Sequence, residues 1–402
     1  MQLTNKTKTF IKELEKYNMP ANKNNDEIYR CLYNEIFIGF QYYKKIKENI
    51  QYEIKRINNV NKIPFPTSKS NRFFPSIIED NIKSKSNYFI KFNFKIFKYN
   101  FEVYFVYSLN NFDPQKYISI IITWLHIIIN HQNKTCSTNN TILIYLTDAK
   151  KVLPKKEVDI IDVINVNSAY TYCCNSNISK NEIVVYRKEE WLKTFMHETM
   201  HAFGLDFCLM DNNDTSEKIK KFFPIEDSEI NLTESYCETW AETFNILIIS
   251  FFKSKKHEIN EYLLNVNKLM NYEKLFSIIQ LIKILNHMSL KYKDLYSPNK
   301  VCEYKRKFFY HEKTNVFSYY IIKCILMFNL GDFIFWCNDN NNTLIDFHKT
   351  TTNVDRFIEF IKTNCNKNEI INNIKNNEKL FDKFRKKSDF YNSLKMSLVE
   401  II

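Results

Sequence analysis

The amino-acid sequence predicts an α+β protein, with a small mixed sheet and its helices followed by a mainly helical C-terminal region. Three observations carry this. Residues 92–108, FNFKIFKYNFEVYFVYS, alternate with a period of two and break near Tyr99-Asn100, the pattern of a half-buried hairpin. Two short apolar runs, TILIYLT (141–147) and EIVVYR (182–187), have the length and β-branched content of strands. From Asn231 onward the apolar residues recur at helical spacing.

Taken in order, residues 26–58 read as a helix through IYRCLYNEIFIGFQYYKKI. Residues 59–86 hold three of the eight prolines and read as a connector or an ordered loop. Asp113-Pro114 starts a helix that runs to Asn130, since proline suits the first helical turn. VDIIDVINVNSAYTY (158–172) supplies a further strand, and a helix follows over about 188–203. Three segments result: a helical region with its connector (1–88), an α+β core (89–255), and a helical region that completes the cleft (256–402).

Composition narrows the classes. The 402 residues include only 3 Gly but 34 Phe and 25 Tyr, with much Lys, Asn and Ile. These enriched residues have A/T-rich codons, as in the genes of some large DNA viruses or protists. The net charge is +12, yet the lysines are scattered among acids and asparagines. That reads as a solvated, mildly basic surface more than a nucleic-acid footprint. The N-terminal stretch MQLTNKTKTF lacks the apolar segment of a secretory signal. Apolar runs such as Phe244 to Phe252 are far shorter than the ~18 residues of a membrane span. The ten cysteines are dispersed with no CxxC pair, which reads as free buried thiols in a reduced, cytoplasmic protein.

The chemistry concentrates in FMHETMHAFGLDF (195–207). His197-Glu198-Thr199-Met200-His201 is an HExxH pattern. On a helix the two histidines share one face, so both imidazoles can hold one Zn²⁺. Glu198 sits one position round, placed to take a proton from an activated water. The helix is otherwise apolar, with Trp191, Leu192, Phe195, Met196, Met200 and Phe203. Such a helix is buried, and buried polar groups on it need partners. Gly204 follows where a left-handed residue commonly ends a helix.

A third ligand is required. A histidine six residues after His201 would satisfy one known spacing, but position 207 is Phe. Asp206 therefore reads as a turn residue or a partner of a ligand. The segment NLTESYCETWAETFNILIISFF, from Asn231, carries Glu234, Glu238 and Glu242 four apart on one helical stripe. Asn231 with Glu234 fits a variant capping box, which assigns Glu234 to the helix N-terminus. Glu238 lies one turn deeper and is the expected ligand, with Glu234 in reserve. Glu242 is then expected to hydrogen-bond a metal-binding histidine.

Glu238-Thr239-Trp240-Ala241-Glu242-Thr243-Phe244 resembles the ExxAExF helix that supplies the third ligand in gluzincin peptidases of the anthrax lethal factor type, which pair it with an upstream HExxH helix. The resemblance covers about 60 residues and two motifs. It implies a zincin-like catalytic domain, one Zn²⁺ on His197, His201 and Glu238, Glu198 as base, and hydrolysis of a peptide or protein substrate. It also implies a Tyr or His that stabilises the oxyanion; Tyr236, His311, Tyr319 and Tyr320 are the positions considered. EIVVYR reads either as the edge strand that pairs with substrate or as an interior strand. Two other classes remain open at this level: a zincin fold without activity, and a basic nucleic-acid or protein-interaction protein.

Overall fold

The alternating segment folds as a hairpin because one face of each strand meets a layer of helices and the other does not. The computed structural model describes residues 2–401 other than 22–24, 68–72, 109–112, 134–135, 157–158, 176 and 178. Helices α1 (Asn5–Leu14) and α2 (Asp26–Ile46) precede strand β1 (Tyr52–Arg56), helix α3 (Ser76–Lys85) and the hairpin β2 (Tyr88–Ile96) and β3 (Tyr99–Tyr107). Helix α4 (Pro114–His131), β4 (Asn139–Tyr145), the short α5 (Val163–Val166), β5 (Ala169–Thr171) and β6 (Asn181–Val185) follow. Next come α6 (Trp191–Ala202), α7 (Asn212–Lys220), α8 (Leu232–Lys253), α9 (Ile259–His287) and α10 (Lys300–Phe309). Beyond them lie a π-helical segment, Phe317–Ile322, and further helices that include Thr351–Cys365 and Asn368–Phe384.

The six strands form one mixed sheet in the order β1-β2-β3-β4-β6-β5. The hairpin is antiparallel with Phe92 opposite Val103, and its turn falls at Phe97, which has φ 50°. Strand β4 runs parallel to β3 and β6, while β5 returns antiparallel at the edge. EIVVYR is thus an interior strand, and the free edge near α6 belongs to β5. Residues 26–58 are not one helix either. The chain leaves α2 after Ile46 and adds β1 to the opposite edge, where every residue of the strand is exposed.

The two faces of the sheet are covered differently. Phe92, Phe94, Val103, Phe105, Ile142, Ile144, Ile183 and Val185 pack into the main apolar cluster with α4 and α6. Val106, Leu143, Tyr145, Val184 and Tyr186 face the other way, onto Ile63, Phe74, Ile78 and Ile82. The proline-bearing connector is therefore a cover, with α3 as its centre. Covering on both sides explains why β4 and β6 read as continuous apolar runs while the hairpin alternates. The main cluster extends from Phe10 to Val399 and draws on all three segments expected from the sequence.

Residues 393–400 run through the interior. Ser393, Lys395, Ser397 and Leu398 are all buried. The backbone N–H of Leu398 donates to Glu273 at 2.7 Å, and that of Ser397 donates to Glu190 at 2.5 Å. Ile401 then bridges to Leu3. Among the described residues no single helix is long and apolar enough to cross a membrane.

Helices α2 and α4 cross closely at Gly39. A Cβ at that position would lie 2.7 Å from the backbone oxygen of Thr123, which cannot move aside without shifting α4. Gly39→Ala should therefore destabilise the protein by about 1–3 kcal/mol although alanine is the better helix former. Thermal unfolding of the two proteins checks this; an equal or higher midpoint for the variant would contradict the crossing.

Candidate metal centre

Helix α6 is fixed at both ends and in the middle. It begins at Glu190, which adopts a left-handed φ of 59°. Its centre is tied to α4 by a bond from the indole N–H of Trp124 to Thr199 at 2.7 Å. It ends at Gly204, whose φ of +62° suits a residue without a side chain. A Cβ there would also meet Cys174 at 2.8 Å. The N–H of Leu205 returns to the carbonyl of Met200 at 3.0 Å, closing the helix terminus.

This termination rests on two disulfides, Cys136–Cys174 and Cys173–Cys208. They correct the reading of the cysteines as ten free thiols, and with it the basis for placing the chain in a reducing compartment. The adjacent pair Cys173-Cys174 is used in two directions, one thiol to the loop before β4 and one to the loop after α6. Only folding brings those loops together, and they close spans of 38 and 35 residues. Cross-links over such spans typically contribute about 2–4 kcal/mol.

Helix α8 crosses α6 and sets the register of the acidic stripe. Asn231 caps α8 alone, accepting from Thr233 N–H at 3.1 Å. Glu234 is therefore not used as a capping-box partner, and its carboxylate reaches across to α6. Its Oε2 lies 3.1 Å from His197 Nε2 and 3.8 Å from His201 Nε2. The two Nε2 atoms are themselves 3.1 Å apart. Glu238, the expected ligand, is not in this group. One of its oxygens is 3.0 Å from Nδ1 of His197, on the far side of the ring, and the other accepts from Lys193 at 2.6 Å. The carboxylate approaches Nδ1 at an angle, so this close contact is not a linear hydrogen bond. Glu242 is displaced by a further turn. It pairs with Lys323 at 3.1 Å, inside the helical region, and touches no histidine. The three carboxylates do share a stripe, and it is Glu234 that meets the Nε2 atoms, Glu238 that meets Nδ1 of His197, and Glu242 that meets Lys323.

Asp206 holds the second ring from behind. Its Oδ2 closes on Nδ1 of His201, and its Oδ1 accepts from Cys208 N–H at 3.1 Å. The thiol of Cys237 donates to the same carboxylate at 3.4 Å. Cys237, like Lys193, was not singled out from the sequence; a lone thiol carries no spacing signal.

Of the four residues considered as oxyanion partners, one reaches the site. The hydroxyl of Tyr319, on the π-helical segment, donates to Glu234 Oε2 at 3.0 Å. Burial, reinforced by Glu234 and Glu198, raises its phenol well above the ordinary range, so it remains a donor. Tyr236 instead donates to the carbonyl of Ile345 within an aromatic cluster. Tyr320 donates to the carbonyl of Leu394, and His311 is exposed and pairs with Asp227. Glu198 makes no hydrogen bond to a protein group among the described residues. Burial pushes its carboxyl upward against the opposing pull of His197 and His201. Burial also opposes ionisation of Glu234, but the two histidines outweigh it and hold that group low.

This donor set suits a small divalent cation. A carboxylate lies beside Nδ1 of each ring. When the rings carry their protons on Nδ1, both Nε2 lone pairs turn toward one another and toward a Glu234 oxygen, and a cation between the three relieves their repulsion. Arms of about 2.0–2.1 Å in tetrahedral array place donors roughly 3.3 Å apart, and the three observed separations bracket that value. His201, Asp206 and Cys237 also converge, on the Nδ1 side of the ring, where the Cys237 thiol donates to Asp206. Comparison with protein-family models, curated proteins and solved structures found no match.

Alkylation checks the cysteine pairing. Unreduced, denatured protein should label at six positions, Cys31, Cys237, Cys302, Cys324, Cys337 and Cys365. Denatured, reduced protein should label at all ten. Ten labels without reduction would remove the disulfides from this account.

Proposed function

We propose that the chain is a zincin-like, zinc-dependent peptidase whose ion is held by His197, His201 and Glu234. The observation that carries this is the convergence of two Nε2 atoms and one carboxylate oxygen beside Glu198, a buried glutamate that makes no hydrogen bond to a protein group among the described residues. Glu234 replaces Glu238 as the third ligand, and Glu238 takes the orienting role behind His197. Compared with the ExxAExF resemblance, the ligand is thus one turn earlier, which sets this site apart within that likeness.

Bound there, zinc would supply Lewis acidity, polarising a carbonyl and acidifying a water. Glu198 has the role of base: it takes a proton from the attacking water and passes it to the leaving amine. A carboxyl raised by burial suits that exchange, because it must both accept and release a proton. Tyr319 donates its hydroxyl hydrogen to the oxyanion that develops on the scissile carbonyl. The free edge of β5, beside α6, offers backbone groups for an extended peptide. The substrate class is therefore a peptide or protein segment in extended form.

Zinc content per chain tests the centre. The parent and Glu238→Gln should each bind about one zinc, the variant more weakly, and Glu234→Ala should lose it. Glu198→Gln should keep zinc and lose peptide hydrolysis by at least 10²-fold. Zinc retained by Glu234→Ala but lost by Glu238→Gln would restore Glu238 as ligand; no zinc in the parent would end the peptidase reading.

A second measurement isolates Tyr319. In Tyr319→Phe, kcat for a peptide substrate should fall by about 10²–10³ with zinc content unchanged, as when one oxyanion donor is removed. Unchanged kcat would return Tyr319 to a packing role.

A further inference from the structure

The orienting carboxylate is itself oriented. Lys193 lies four residues before His197, on the same face of α6 and one turn below it. Its side chain is 3% exposed, and its ammonium is 2.6 Å from Glu238 Oε1. The other oxygen of Glu238 is the one beside His197 Nδ1. Lys193 also lies 3.8 Å from the sulfur of Met396, on the interior segment 393–400. A second buried pair, Lys151 and Glu190 at 3.0 Å, lies in the same layer, and Glu190 also caps the N–H of Ser397. A lysine so placed carries a desolvation cost that an apolar residue would avoid. What distinguishes it from the other buried pair of α8, Lys323 with Glu242, is its partner's second oxygen: Glu238 touches a histidine and Glu242 does not.

A glutamate has three side-chain torsions, and its contact with His197 is angled rather than linear. That contact alone leaves the carboxylate free to rotate. Lys193 removes the freedom by fixing Oε1, which leaves Oε2 a single direction, toward Nδ1. Without the lysine, the angled contact with His197 would be the one close side-chain contact left to Glu238 among the described residues. The carboxylate would be free to swing away, and His197 would lose the group that stands behind its Nδ1.

We propose that Lys193 is a positioning residue of the metal centre, acting through Glu238 to keep the Nε2 lone pair of His197 aimed at His201 and Glu234. The proposal rests on the metal-centre reading above and extends it to a third layer of residues. Lys193 touches neither ligand nor substrate, so its effect appears in metal affinity before it appears in chemistry.

The experiment is zinc affinity by competition against a chromophoric chelator, beside thermal unfolding of each metal-free protein. Lys193→Met should bind zinc about 10–100-fold more weakly, the range typical of lost outer partners of a ligand. Lys323→Met, which breaks the buried pair with Glu242 of α8 away from the histidines, should lower the unfolding midpoint and leave affinity at the parent value. Combining Lys193→Met with Glu238→Gln should cost little more affinity than Glu238→Gln alone, since both act through one contact. If Lys193→Met does not fold, Lys193→Gln is the milder lesion and should still weaken zinc. Parent-like affinity in a folded Lys193 variant, or equal losses in the Lys193 and Lys323 variants, would overturn the positioning role while the metal centre stands. A parent that takes up no zinc would overturn both.

Discussion

Two imidazoles can turn unshared electron pairs toward each other across 3.1 Å only if something behind each ring decides which nitrogen carries the proton. That constraint organises the centre of this protein. A carboxylate stands behind each ring, Asp206 beside Nδ1 of His201 and Glu238 beside Nδ1 of His197. Each carboxylate then needs its own support. A loop tied by the Cys173–Cys208 disulfide supports Asp206, and a lysine one turn down α6 supports Glu238. The result is a shell of alternating charge around a small polar centre, set in a cluster of aromatic and aliphatic side chains. Neutralised buried charge contributes little net stability. Its contribution here is geometric, because it holds the two imidazoles and Glu234 together.

Much of this arrangement was legible in the sequence, for reasons that can be named. The hairpin could be read because half of its residues face water, which forces alternation. Strands β4 and β6 could be read because burial on both faces forces continuous apolar runs. The HExxH pair was legible because the spacing of four is a property of the helix itself. Which of Glu234, Glu238 and Glu242 meets the Nε2 atoms was not. Spacing shows that the three share a stripe, but which turn meets His197 depends on where α8 crosses α6. That crossing is set by packing between residues far apart in the chain. Asn231 capping α8 unaided is the local detail that frees Glu234, and a capping box and a lone cap look alike in sequence.

The cysteines illustrate the same limit from another side. Dispersed singles and an adjacent pair match no metal-ligand spacing, so sequence alone assigns them to packing. The structure uses four of them to close the loops that flank α6. The connector was likewise placed correctly between elements, yet its work as a lid over one sheet face follows only from the second apolar cluster. In both cases the missing information was long-range proximity, which neither periodicity nor composition encodes.

The interior path of residues 393–400 has a consequence for timing. Glu190 begins the helix that carries His197 and His201, yet the backbone group that satisfies it belongs to Ser397, 207 positions later. Glu273 waits in the same way for Leu398, 125 positions later. A ribosome adding about 5–20 residues per second takes on the order of ten seconds or more to cover the longer interval. Throughout that time Glu190 has Lys151 as a partner but lacks the backbone N–H of Ser397. Contacts so distant in sequence also slow the final search, since the intervening loop must close before they reward it. The helix that carries the two histidines is thus fully supported only once the chain through residue 398 has been made.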